Sequence, residues 1–348
     1  MKGADSIRVD LASDTLTRPT AAMREAMAQA EVGDDVFDED PTVQALEARI
    51  AELLDKQDAI YVPSGSMGNQ IAVRLHCQPG DELLCEASCH LHNIEQAAHV
   101  QLRGVASQPI AGREGILQVE QLAAHVRPEN DHMVRTRLVC LENTHNRAAG
   151  RILPLENAQN ICQWASEQGL ASHLDGARLF NAQVATGTPA ADWARLFDTV
   201  SVCFSKGLGA PVGSALCGTA ELIRQARRHR KLLGGGMRQA GIIAAGALYA
   251  LDHHVDRLAE DHATAQQLAE AIRQLDGLTL QPDTIDTNML IFRVDERLGD
   301  AASFCDRLRD QGVRMLPISA QQVRAVTHMD VSPEQVNEAC QVLGRLVE

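Results

Sequence analysis

The chain has 348 residues and 45% apolar content, which is enough to bury a full hydrophobic core and more than one minimal domain needs. The formal net charge is −14 and the acidic residues are spread along the chain, which argues against nucleic acids and anionic membranes as partners. The opening residues hold no apolar run of signal-peptide length, and no stretch approaches the roughly 20 apolar residues of a membrane span. We therefore expect a cytoplasmic protein that binds a small molecule.

The nine cysteines are scattered through the chain, mostly within apolar runs, and this is typical of buried free thiols. Cys85, Cys89, His90 and His92 form one cluster with metal-ligating side chains. The cluster lacks a second ligand pair at the spacing of a zinc site and directly follows a strand-like run. We therefore favour ordinary packing with one catalytic histidine, and predict no metal.

The first strong periodic pattern is a helix in DPTVQALEARIAELLDK. Asp40 is suited to cap its N-terminus and Pro41 to occupy its first position. The apolar residues then recur at helical spacing, which predicts one buried face. That face holds Val43, Leu46, Ile50, Leu53 and Leu54.

Strand-like runs follow this helix. They are AIYVP, ELLCE, RLVCLEN, LASHLD, TVSVCFS and GSALCG, and helical patterns such as QNICQWASEQ and AELIRQARRHRKLL separate several of them. Continuous apolar strands that alternate with helices predict an α/β fold, in which a largely parallel sheet is covered on both faces.

The last part of the chain has a different order of elements. A helix-favouring, Ala-rich stretch from about residue 241 to 275 leads into the strand-like LIFRVD and a helix around residues 304–311. The strand-like VRMLPIS and QVRAVTHMD and a helix from Pro333 close the chain. This order is typical of an α+β domain. We place a large domain at residues 1–250 and a small one at residues 251–348.

Two strand-like runs end in charged residues. HLDGARLF places Asp175 at a strand end with Arg178 three residues later, and TVSVCFSKGLGAPVG places Lys206 at another. Ligands gather at the carboxyl ends of parallel strands. A lysine there can have a lowered pKa and form a Schiff base. Pyridoxal 5′-phosphate (PLP) needs such a lysine, and a carboxylate that keeps its pyridine nitrogen protonated, so the pair predicts PLP.

The phosphate and the ring of PLP need further partners. VPSGSMGNQIAVRLH places Ser64, Gly65 and Ser66 directly before a helix-forming run, where free backbone N–H groups can bind a phosphate. His90 follows the strand-like ELLCE, and an imidazole there can stack on the ring and transfer protons. A structural histidine is the simpler interpretation of His90.

Taken singly, these residues have simpler interpretations. Asp175 is typical of a helix N-cap and Lys206 of a solvated surface lysine. Arg178 and Arg324 are typical of plain salt bridges. His253, His254 and His328, like the basic run RQARRHRK, are predicted to lie on the surface.

The combination of motifs resembles a known family. DLASDTLTRP, GDDVFDEDPTV, LENTHN, HLDGARLFNA, SKGLGAPVGS and KLLGGGMRQAG, in this order and spacing, are similar to the low-specificity L-threonine aldolases. The resemblance implies the fold type I (aspartate-aminotransferase-like) architecture of PLP enzymes, with a mostly parallel seven-stranded sheet in the large domain and a smaller α+β C-terminal domain. It also implies cleavage of L-threonine, L-allo-threonine and related β-hydroxy-α-amino acids to glycine and an aldehyde.

The resemblance implies a role for each cofactor-binding residue. Lys206 would form the Schiff base with PLP, and Asp175 would pair with the pyridine nitrogen. Gly65 and Ser66 would hold the phosphate, and His90 would stack on the ring. These assignments agree with the chemistry read from the strand ends and from the helix N-terminus.

The resemblance assigns the substrate contacts as well. Arg178, which also belongs to the cofactor site, would bind the substrate carboxylate together with Arg324 and Ser13. His145, in LENTHN, would deprotonate the β-hydroxyl and so start retro-aldol cleavage. PLP would then stabilise the glycine carbanion.

The family also implies an assembly. Lys231 and Arg238, which flank the glycines of KLLGGGMRQAG, would lie near the phosphate across a subunit boundary, in a homotetramer built from dimers with shared sites. Three features depart from the family pattern. Ala12 stands where an arginine is usual, Phe37 replaces a tyrosine, and HLHNIEQAAH lacks small glycines. These departures bear on substrate preference and on subunit contacts.

Two other functions use the same residues. A PLP enzyme for β-elimination, racemisation or transamination needs the same lysine, acid and phosphate site, and a phenylserine aldolase differs only in substrate size. His145 beside the β-carbon favours cleavage. A regulator that binds PLP or an amino acid without catalysis is the third hypothesis, but such proteins usually carry a basic DNA-binding module, and the chain shows no such segment.

Overall fold

The structure is a computed structural model and describes residues 7–348. The strands are β1 (Val9–Asp10), β2 (Asp58–Val62), β3 (Asp81–Glu86), β4 (Ala106–Ile110), β5 (Arg135–Glu142), β6 (Ala171–Gly176), β7 (Thr199–Cys203), β8 (Ser214–Gly218), β9 (Leu278–Leu280), β10 (Met289–Val294), β11 (Val313–Arg314), β12 (Leu316–Pro317) and β13 (Gln322–Val326).

The helices are α1 (Ala21–Ala28), α2 (Pro41–Leu53), α3 (Gly65–His76), α4 (His90–Asn93), α5 (Ala98–Arg103), α6 (Val119–Ala123), α7 (Leu155–Glu167), α8 (Leu179–Thr186), α9 (Ala190–Ala194), α10 (Ala220–Leu232), α11 (Gly241–His253), α12 (Leu258–Arg273), α13 (Ala301–Asp310) and α14 (Pro333–Val347). Short 3-10 helices cover Asp14–Leu16, Asp35–Phe37, Asn146–Ala148 and Glu296–Leu298.

A seven-stranded sheet with the order β2-β8-β7-β6-β5-β3-β4 forms the centre of the molecule. Its strands are parallel except β8, which runs antiparallel to β2 and to β7. The predicted α/β fold with a mostly parallel seven-stranded sheet is therefore confirmed. Because β8 reverses direction between two neighbours, β2 points the same way as the parallel strands. The carboxyl ends of β2, β3, β5, β6 and β7 thus lie at one edge.

Both faces of this sheet are covered. On β2, Ala59 and Tyr61 belong to the largest hydrophobic core, whereas Ile60 and Val62 belong to a separate cluster with Ile71 of α3. Alternate residues of one strand therefore enter cores on opposite faces. This burial explains why the strands appear in the sequence as continuous apolar runs.

The predicted helix after Asp40 is α2. The Asp40 carboxylate accepts hydrogen bonds from the backbone N–H groups of Thr42 and Val43, at 3.1 and 3.0 Å, and Pro41 occupies the first helical turn. Of the predicted apolar face, Val43, Leu46, Ile50 and Leu54 are fully buried, while Leu53 packs against the core as a partly buried residue.

The Ala-rich stretch at about 241–275 is not one helix. It forms α11 and α12, with a break at residues 254–257. In the break, His254 is buried and its Nδ1 lies 2.7 Å from the carbonyl oxygen of Leu208. His328 is buried as well, against the carbonyl of Asp10. The predicted surface position of these two histidines is wrong because each is paired with a distant backbone carbonyl.

A four-stranded antiparallel sheet with the order β12-β13-β10-β9 lies in the C-terminal part, and β1 pairs in parallel with β11. Val9 and Leu11 consequently pack into the second hydrophobic core, with residues of β10, α12, α13 and α14. The domain division at residue 250 stays a prediction. Strand β1, although it lies at the start of the chain, pairs with β11 in the C-terminal part. Within residues 7–348 no helix has the length and apolar character needed to cross a membrane.

Candidate active site

The carboxyl ends of the central strands surround a cavity of about 300 Å³. Eight of the residues predicted for the site line it, namely Ser13, Gly65, Ser66, His90, Asp175, Arg178, Lys206 and Arg324. The other lining residues are Thr15, Asn69, Ile94, Glu142, Asn146, Ala177 and Cys203. Among the residues described, His145, Lys231 and Arg238 do not line this cavity.

Asp175 lies at the end of β6 and is buried. Its carboxylate accepts hydrogen bonds from Asn69 Nδ2 at 2.8 Å and from the backbone N–H of Ala177 at 3.1 Å. Burial opposes ionisation, but the charges of His90 and Lys206 and the bond from Asn69 outweigh it and hold the pKa of Asp175 below its usual value. The cavity therefore contains a fixed negative charge.

Lys206 follows β7 and is half-buried. Its carbonyl accepts hydrogen bonds from Thr17 Oγ1 and from the backbone N–H of Gly209, both at 2.8 Å. Gly209 has φ +79, and a Cβ there would come within 2.5 Å of Met329 Sδ, so only glycine fits this turn. The turn directs the chain away after Lys206 and leaves the lysine in the cavity wall.

Gly65 and Ser66 are the first two residues of α3, which begins directly after the short connection that follows β2. Ser64 caps this helix by accepting a hydrogen bond from the backbone N–H of Met67 at 3.2 Å. The backbone N–H groups of Gly65 and Ser66 find no acceptor within residues 7–348. These two donors and the positive end of the helix dipole are available to an anionic group.

His90 begins α4, just after β3, and two carboxylates hold it. Its backbone N–H donates to Glu142 at 2.8 Å, and its Nδ1 lies 2.9 Å from Glu95. Burial lowers the pKa of His90, but the bond to Glu95 and the charges of Asp175, Glu95 and Glu142 together raise it. One ring nitrogen of His90 and one carboxylate oxygen each of Glu95 and Asp175 all lie within 4.8 Å of one another. Within residues 7–348, the side chains of Cys85, Cys89, His90 and His92 do not come together in this way.

Two buried guanidinium groups share one end of the cavity. Arg178 donates from Nε and Nη2 to both carboxylate oxygens of Asp14, at 2.7 and 2.6 Å. Arg324 donates to Asn146 at 2.8 Å and to the carbonyl of Ala12 at 3.1 Å, and its buried Nε has no partner within residues 7–348. One carboxylate thus faces two positive charges, so this end is suited to a second anion.

The charges at this end are reflected in the pKa values. Burial and the neighbouring Arg178 lower the pKa of Arg324 to about 10. Burial opposes ionisation of Asp14, yet the charge and hydrogen bonds of Arg178 hold the pKa of Asp14 well below its usual range. Removing either partner of this buried ion pair would destabilise the fold by about 3–5 kcal/mol. Ser13 also lines the cavity, and its Oγ accepts hydrogen bonds from Thr15 N and Oγ1 at 3.2 and 2.8 Å.

His145 lies behind the cavity wall and is 1% exposed. Its Nε2 is 2.9 Å from Glu86 Oε2, so Nε2 carries a proton when Glu86 is ionised. Burial opposes ionisation of Glu86, but the hydrogen bonds and charge of His145 and the hydrogen bonds from Ser88 together outweigh it and lower the pKa of Glu86 to about 2. The buried Nδ1 of His145 has no partner among the described residues, so it is the nitrogen free to accept a proton.

Lys231, in the last turn of α10, and Arg238, in the connection between α10 and α11, are both exposed. Arg238 Nη1 forms an ion pair with Asp34 at 3.1 Å, and its carbonyl accepts from the backbone N–H of Asp35 at 3.0 Å. Phe37, on the same loop as Asp34 and Asp35, is 70% exposed.

Sequence reasoning missed several polar residues of this site, among them Asp14, Asn69, Glu95 and Glu142. Asp14 and Asn69 lie inside the motifs quoted above, but their partners Arg178 and Asp175 are 164 and 106 residues away. Nothing in the local pattern indicates those contacts. Glu95 stands in HLHNIEQAAH, and its five-residue spacing from His90 is the one local signal.

The cavity fits PLP. It holds a lysine amine, an ionised carboxylate, free backbone donors at a helix N-terminus, and a buried guanidinium Nε without a partner. The first three match the aldehyde, the pyridine nitrogen and the phosphate of the cofactor. A carboxylate of an amino-acid substrate would match the fourth.

Comparisons with known proteins agree with this site. Residues 10–295 match the family described as Beta-eliminating lyase. The low specificity L-threonine aldolase of Escherichia coli (strain K12) is 43% identical over 331 residues, which cover 95% of this chain and 96% of that protein. The probable low-specificity L-threonine aldolase 2 of Arabidopsis thaliana is 42% identical over 334 residues, covering 94% of each chain.

Among solved structures, the threonine aldolase of Leishmania major has a TM-score of 0.84 at 22% identity, and the match covers 98% of this chain and 100% of that one. This likeness confirms the predicted fold type I architecture. Together with the family match and the identities above 40% over nearly the whole chain, it leads to one conclusion. The chain belongs to the Beta-eliminating lyase family and, within it, to the low-specificity L-threonine aldolases.

Proposed function

We propose that this protein is a PLP-dependent lyase that cleaves the Cα–Cβ bond of L-threonine, L-allo-threonine and related β-hydroxy-α-amino acids, giving glycine and an aldehyde. The observation that carries the proposal is one cavity that joins Lys206 and Asp175 to the two guanidinium groups of Arg178 and Arg324. The first pair suits the cofactor and the second pair suits an α-carboxylate. The names of the relatives that match nearly the whole chain support the same reaction.

The cofactor is pyridoxal 5′-phosphate. When bound, it withdraws electrons from the substrate Cα and accepts the electron pair that the broken Cα–Cβ bond leaves behind. Lys206 would hold its aldehyde carbon, the N–H groups of Gly65 and Ser66 its phosphate, and Asp175 its pyridine nitrogen. His90, at the cavity wall, would lie against the ring.

The substrate carboxylate would bind at the end of the cavity that carries excess positive charge. Arg324 offers its unpaired Nε, and Arg178 is held rigidly by Asp14, so neither guanidinium has to be reorganised when an anion arrives. The Ser13 hydroxyl already accepts two hydrogen bonds, so its own proton is free to be donated. Binding the carboxylate here orients the Cα substituents in the cavity.

The proton of the β-hydroxyl needs a base, and we assign it to Nδ1 of His145. Glu86 fixes the opposite nitrogen as the protonated one, so Nδ1 of the neutral ring carries the free lone pair. His145 does not line the cavity itself, but the next residue, Asn146, does, so His145 lies directly behind the cavity wall. Proton removal from the hydroxyl is what favours retro-aldol cleavage over elimination, because elimination requires the hydroxyl to leave.

The experiment that tests this function separates products. Purified protein with PLP is incubated with L-threonine or with L-allo-threonine, and acetaldehyde, glycine, ammonia and the 2-oxo acid are measured. Equal amounts of acetaldehyde and glycine support cleavage, and the two rates give the diastereomer preference. Ammonia with a 2-oxo acid, and no glycine, would instead establish β-elimination on the same fold.

We expect Glu86→Gln to shift the acid limb of the kcat/KM profile to lower pH. Burial lowers the pKa of His145, but Glu142 and Glu86 together raise it above its usual value. A base must be neutral, so activity rises as pH passes upward through this pKa, and losing the Glu86 charge lowers that pKa. The measurement is kcat/KM for L-threonine between about pH 5.5 and 9.

His145→Phe is the companion variant for this test. We expect it to lose activity by about 10²–10⁴-fold, the usual contribution of a general base. Full activity in His145→Phe, with loss in His90→Phe, would move the role of base to His90, which lines the cavity.

We propose further that the protein is a homo-oligomer, a tetramer built from dimers, whose active sites are shared between chains. Support comes from the exposed apolar side chains Phe37, Leu232 and Ile242, which are 70%, 65% and 49% exposed and lie on the segments around Lys231 and Arg238. The loop of Phe37 is bonded to Arg238 through Asp34 and Asp35, so these exposed side chains lie on adjoining segments, as interface residues do. In such a dimer Lys231 and Arg238 would reach the phosphate site of the neighbouring subunit.

Complementation between two inactive variants tests the shared site. We expect Lys206→Ala and Arg238→Ala each to be inactive alone, and co-expressed subunits to recover about a quarter of wild-type activity, because half of the dimers are mixed and each holds one intact site. Two affinity tags isolate the mixed oligomer. If each site were built from a single chain, no mixture would recover activity.

The cysteines support one further proposal, a cytoplasmic location. All nine are free, and seven of them are buried, while Cys203 and Cys340 are half-buried. Unpaired thiols of this number are typical of proteins kept in a reducing compartment.

A further inference from the structure

Asn69, in the second turn of α3, makes an unusual set of contacts below the cofactor site. Its Nδ2 donates to Asp175 Oδ2 and to Glu95 Oε1, both at 2.8 Å. Its Oδ1 lies 2.8 Å from Ser201 Oγ and 3.1 Å from His173 Nε2. The side chain is 1% exposed, so all four hydrogen-bonding positions of the amide are used inside the protein.

The two carboxylates determine which way the amide points. If oxygen and nitrogen were exchanged, the amide oxygen would face two carboxylates, and both would lose a donor. The orientation of the amide also fixes the direction of the hydrogen bonds among His173, Thr199 and His76. His173 must donate from Nε2 to Asn69, so its Nδ1 accepts from Thr199 Oγ1 at 3.0 Å, and Thr199 in turn accepts from His76 Nε2 at 3.0 Å. Burial lowers the pKa of His173 to about 4, so this ring is neutral near pH 7.

Two buried carboxylates so close together would ordinarily share one proton. Asp175 and Glu95 are 7% and 5% exposed, and water supplies little solvation to either. His90 lies beside both carboxylates, with a ring nitrogen within 4.8 Å of an oxygen of each. Because the NH2 group of Asn69 donates one hydrogen bond to each carboxylate, the two carboxylates do not need a shared proton between them.

We propose that Asn69 is a positioning residue, whose amide keeps Asp175 and Glu95 as two separate ionised carboxylates and so sets the charges that face the pyridine nitrogen of PLP and the ring of His90. The inference rests on PLP binding in this cavity, as proposed above. It assigns to Asn69 an electrostatic task that Gln70, its neighbour on the helix, does not have. Gln70 is equally buried and donates to Glu95 at 2.7 Å, but makes no bond to Asp175.

The test compares Asn69→Leu with the matched control Gln70→Leu in the resting holoenzyme, without substrate. The first measurement is the PLP dissociation constant, and the second is the pH at which the visible absorption band of the bound cofactor changes. Asn69→Leu is expected to weaken PLP binding about 10- to 100-fold, because a buried carboxylate loses its donor. The same variant is expected to move the pH of the band transition by about one unit or more, because Asp175, which faces the cofactor, loses its donor and takes up a proton more readily. Gln70→Leu, which removes a donor from Glu95 alone and leaves Asp175 bonded, is expected to move the transition by less than Asn69→Leu does.

Asn69→Asp keeps the test decisive if the leucine variant does not fold. This variant retains the shape of the side chain and its acceptor oxygen, but replaces the donating NH2 group by an oxygen, so that a third carboxyl group joins Asp175 and Glu95. Its PLP affinity relative to wild type is expected to fall as pH rises from about 6 to 9, because only the protonated acid can donate.

The failures can be told apart. A wild-type protein that binds no PLP would overturn the proposed function and this inference with it. If the wild type binds PLP, and Asn69→Leu and Gln70→Leu shift the band transition equally, or Asn69→Asp shows no pH dependence relative to wild type, only the role of Asn69 is overturned.

Discussion

Lys206→Ala is expected to lower kcat/KM for L-threonine by about four orders of magnitude or more, because within residues 7–348 no other side chain that lines the cavity has the primary amine needed to form an imine with the aldehyde carbon of PLP. Histidine, cysteine and arginine line the wall, but none supplies a primary amine. The measurement is acetaldehyde release under saturating PLP. Non-covalent binding of PLP should survive in the variant, since the phosphate and pyridine contacts come from other residues.

Two controls make the result specific. Lys206→Arg keeps a positive charge near Asp175 but offers no primary amine, so it should be as inactive as the alanine variant. The chain has only four lysines, Lys2, Lys56, Lys206 and Lys231, so borohydride reduction of the holoenzyme followed by peptide mapping identifies the attachment site directly. A cofactor fixed on Lys231, or activity retained in Lys206→Ala, would contradict the assignment.

Asp175→Asn is expected to lower kcat by about 10³-fold, with a smaller change in KM. The substitution removes the negative charge that holds the pyridine nitrogen protonated. It also places an amide opposite the Nδ2 of Asn69, where a donor meets a donor unless the new side chain turns its oxygen inward. The measurement is kcat and KM for L-threonine together with the PLP dissociation constant, because a structural defect would alter all three.

Asp198→Asn is the matched control for Asp175→Asn. Asp198 also bonds to the central sheet, because its carboxylate accepts hydrogen bonds from the backbone N–H and the Oγ of Ser172 in β6, at 2.8 and 3.1 Å. Asp198 does not line the cavity. Its asparagine variant should keep wild-type kcat, even if it is less stable. Since the surroundings lower the pKa of Asp175, wild-type kcat should also show no loss from this group between about pH 6 and 9. Comparable losses in both variants would mean that Asp175 acts through stability alone.

Much of the fold follows from local pattern. The six strand-like runs predicted between residues 58 and 218 all form strands of the central sheet, because strands buried on both faces leave continuous apolar runs in the sequence. Strand β4 was missed because it is an edge strand, with the polar sequence ASQPI and Pro109 inside it. The break between α11 and α12 was missed because residues 254–257 contain neither glycine nor proline, and the turn is held instead by the contact of His254 with Leu208.

The candidate site divides in the same way. Lys206, Asp175 and the start of α3 could be predicted because each is a strand end or a helix start, and the parallel order of strands alone brings such ends together. The position of β2 beside them depends on the reversed β8, which no local periodicity encodes.

The sequence by itself therefore determined the α/β class, the strand ends that carry the chemistry, and the motifs that resemble the threonine aldolases. Only the tertiary structure decided which charged and polar side chains meet. Asp14 with Arg178, Glu86 with His145, and Asn69 with Asp175 are pairs far apart along the chain. The physical reason is that periodicity and capping act over a few residues, whereas a buried charge takes its partner from whatever the packing of distant elements places within about 3 Å.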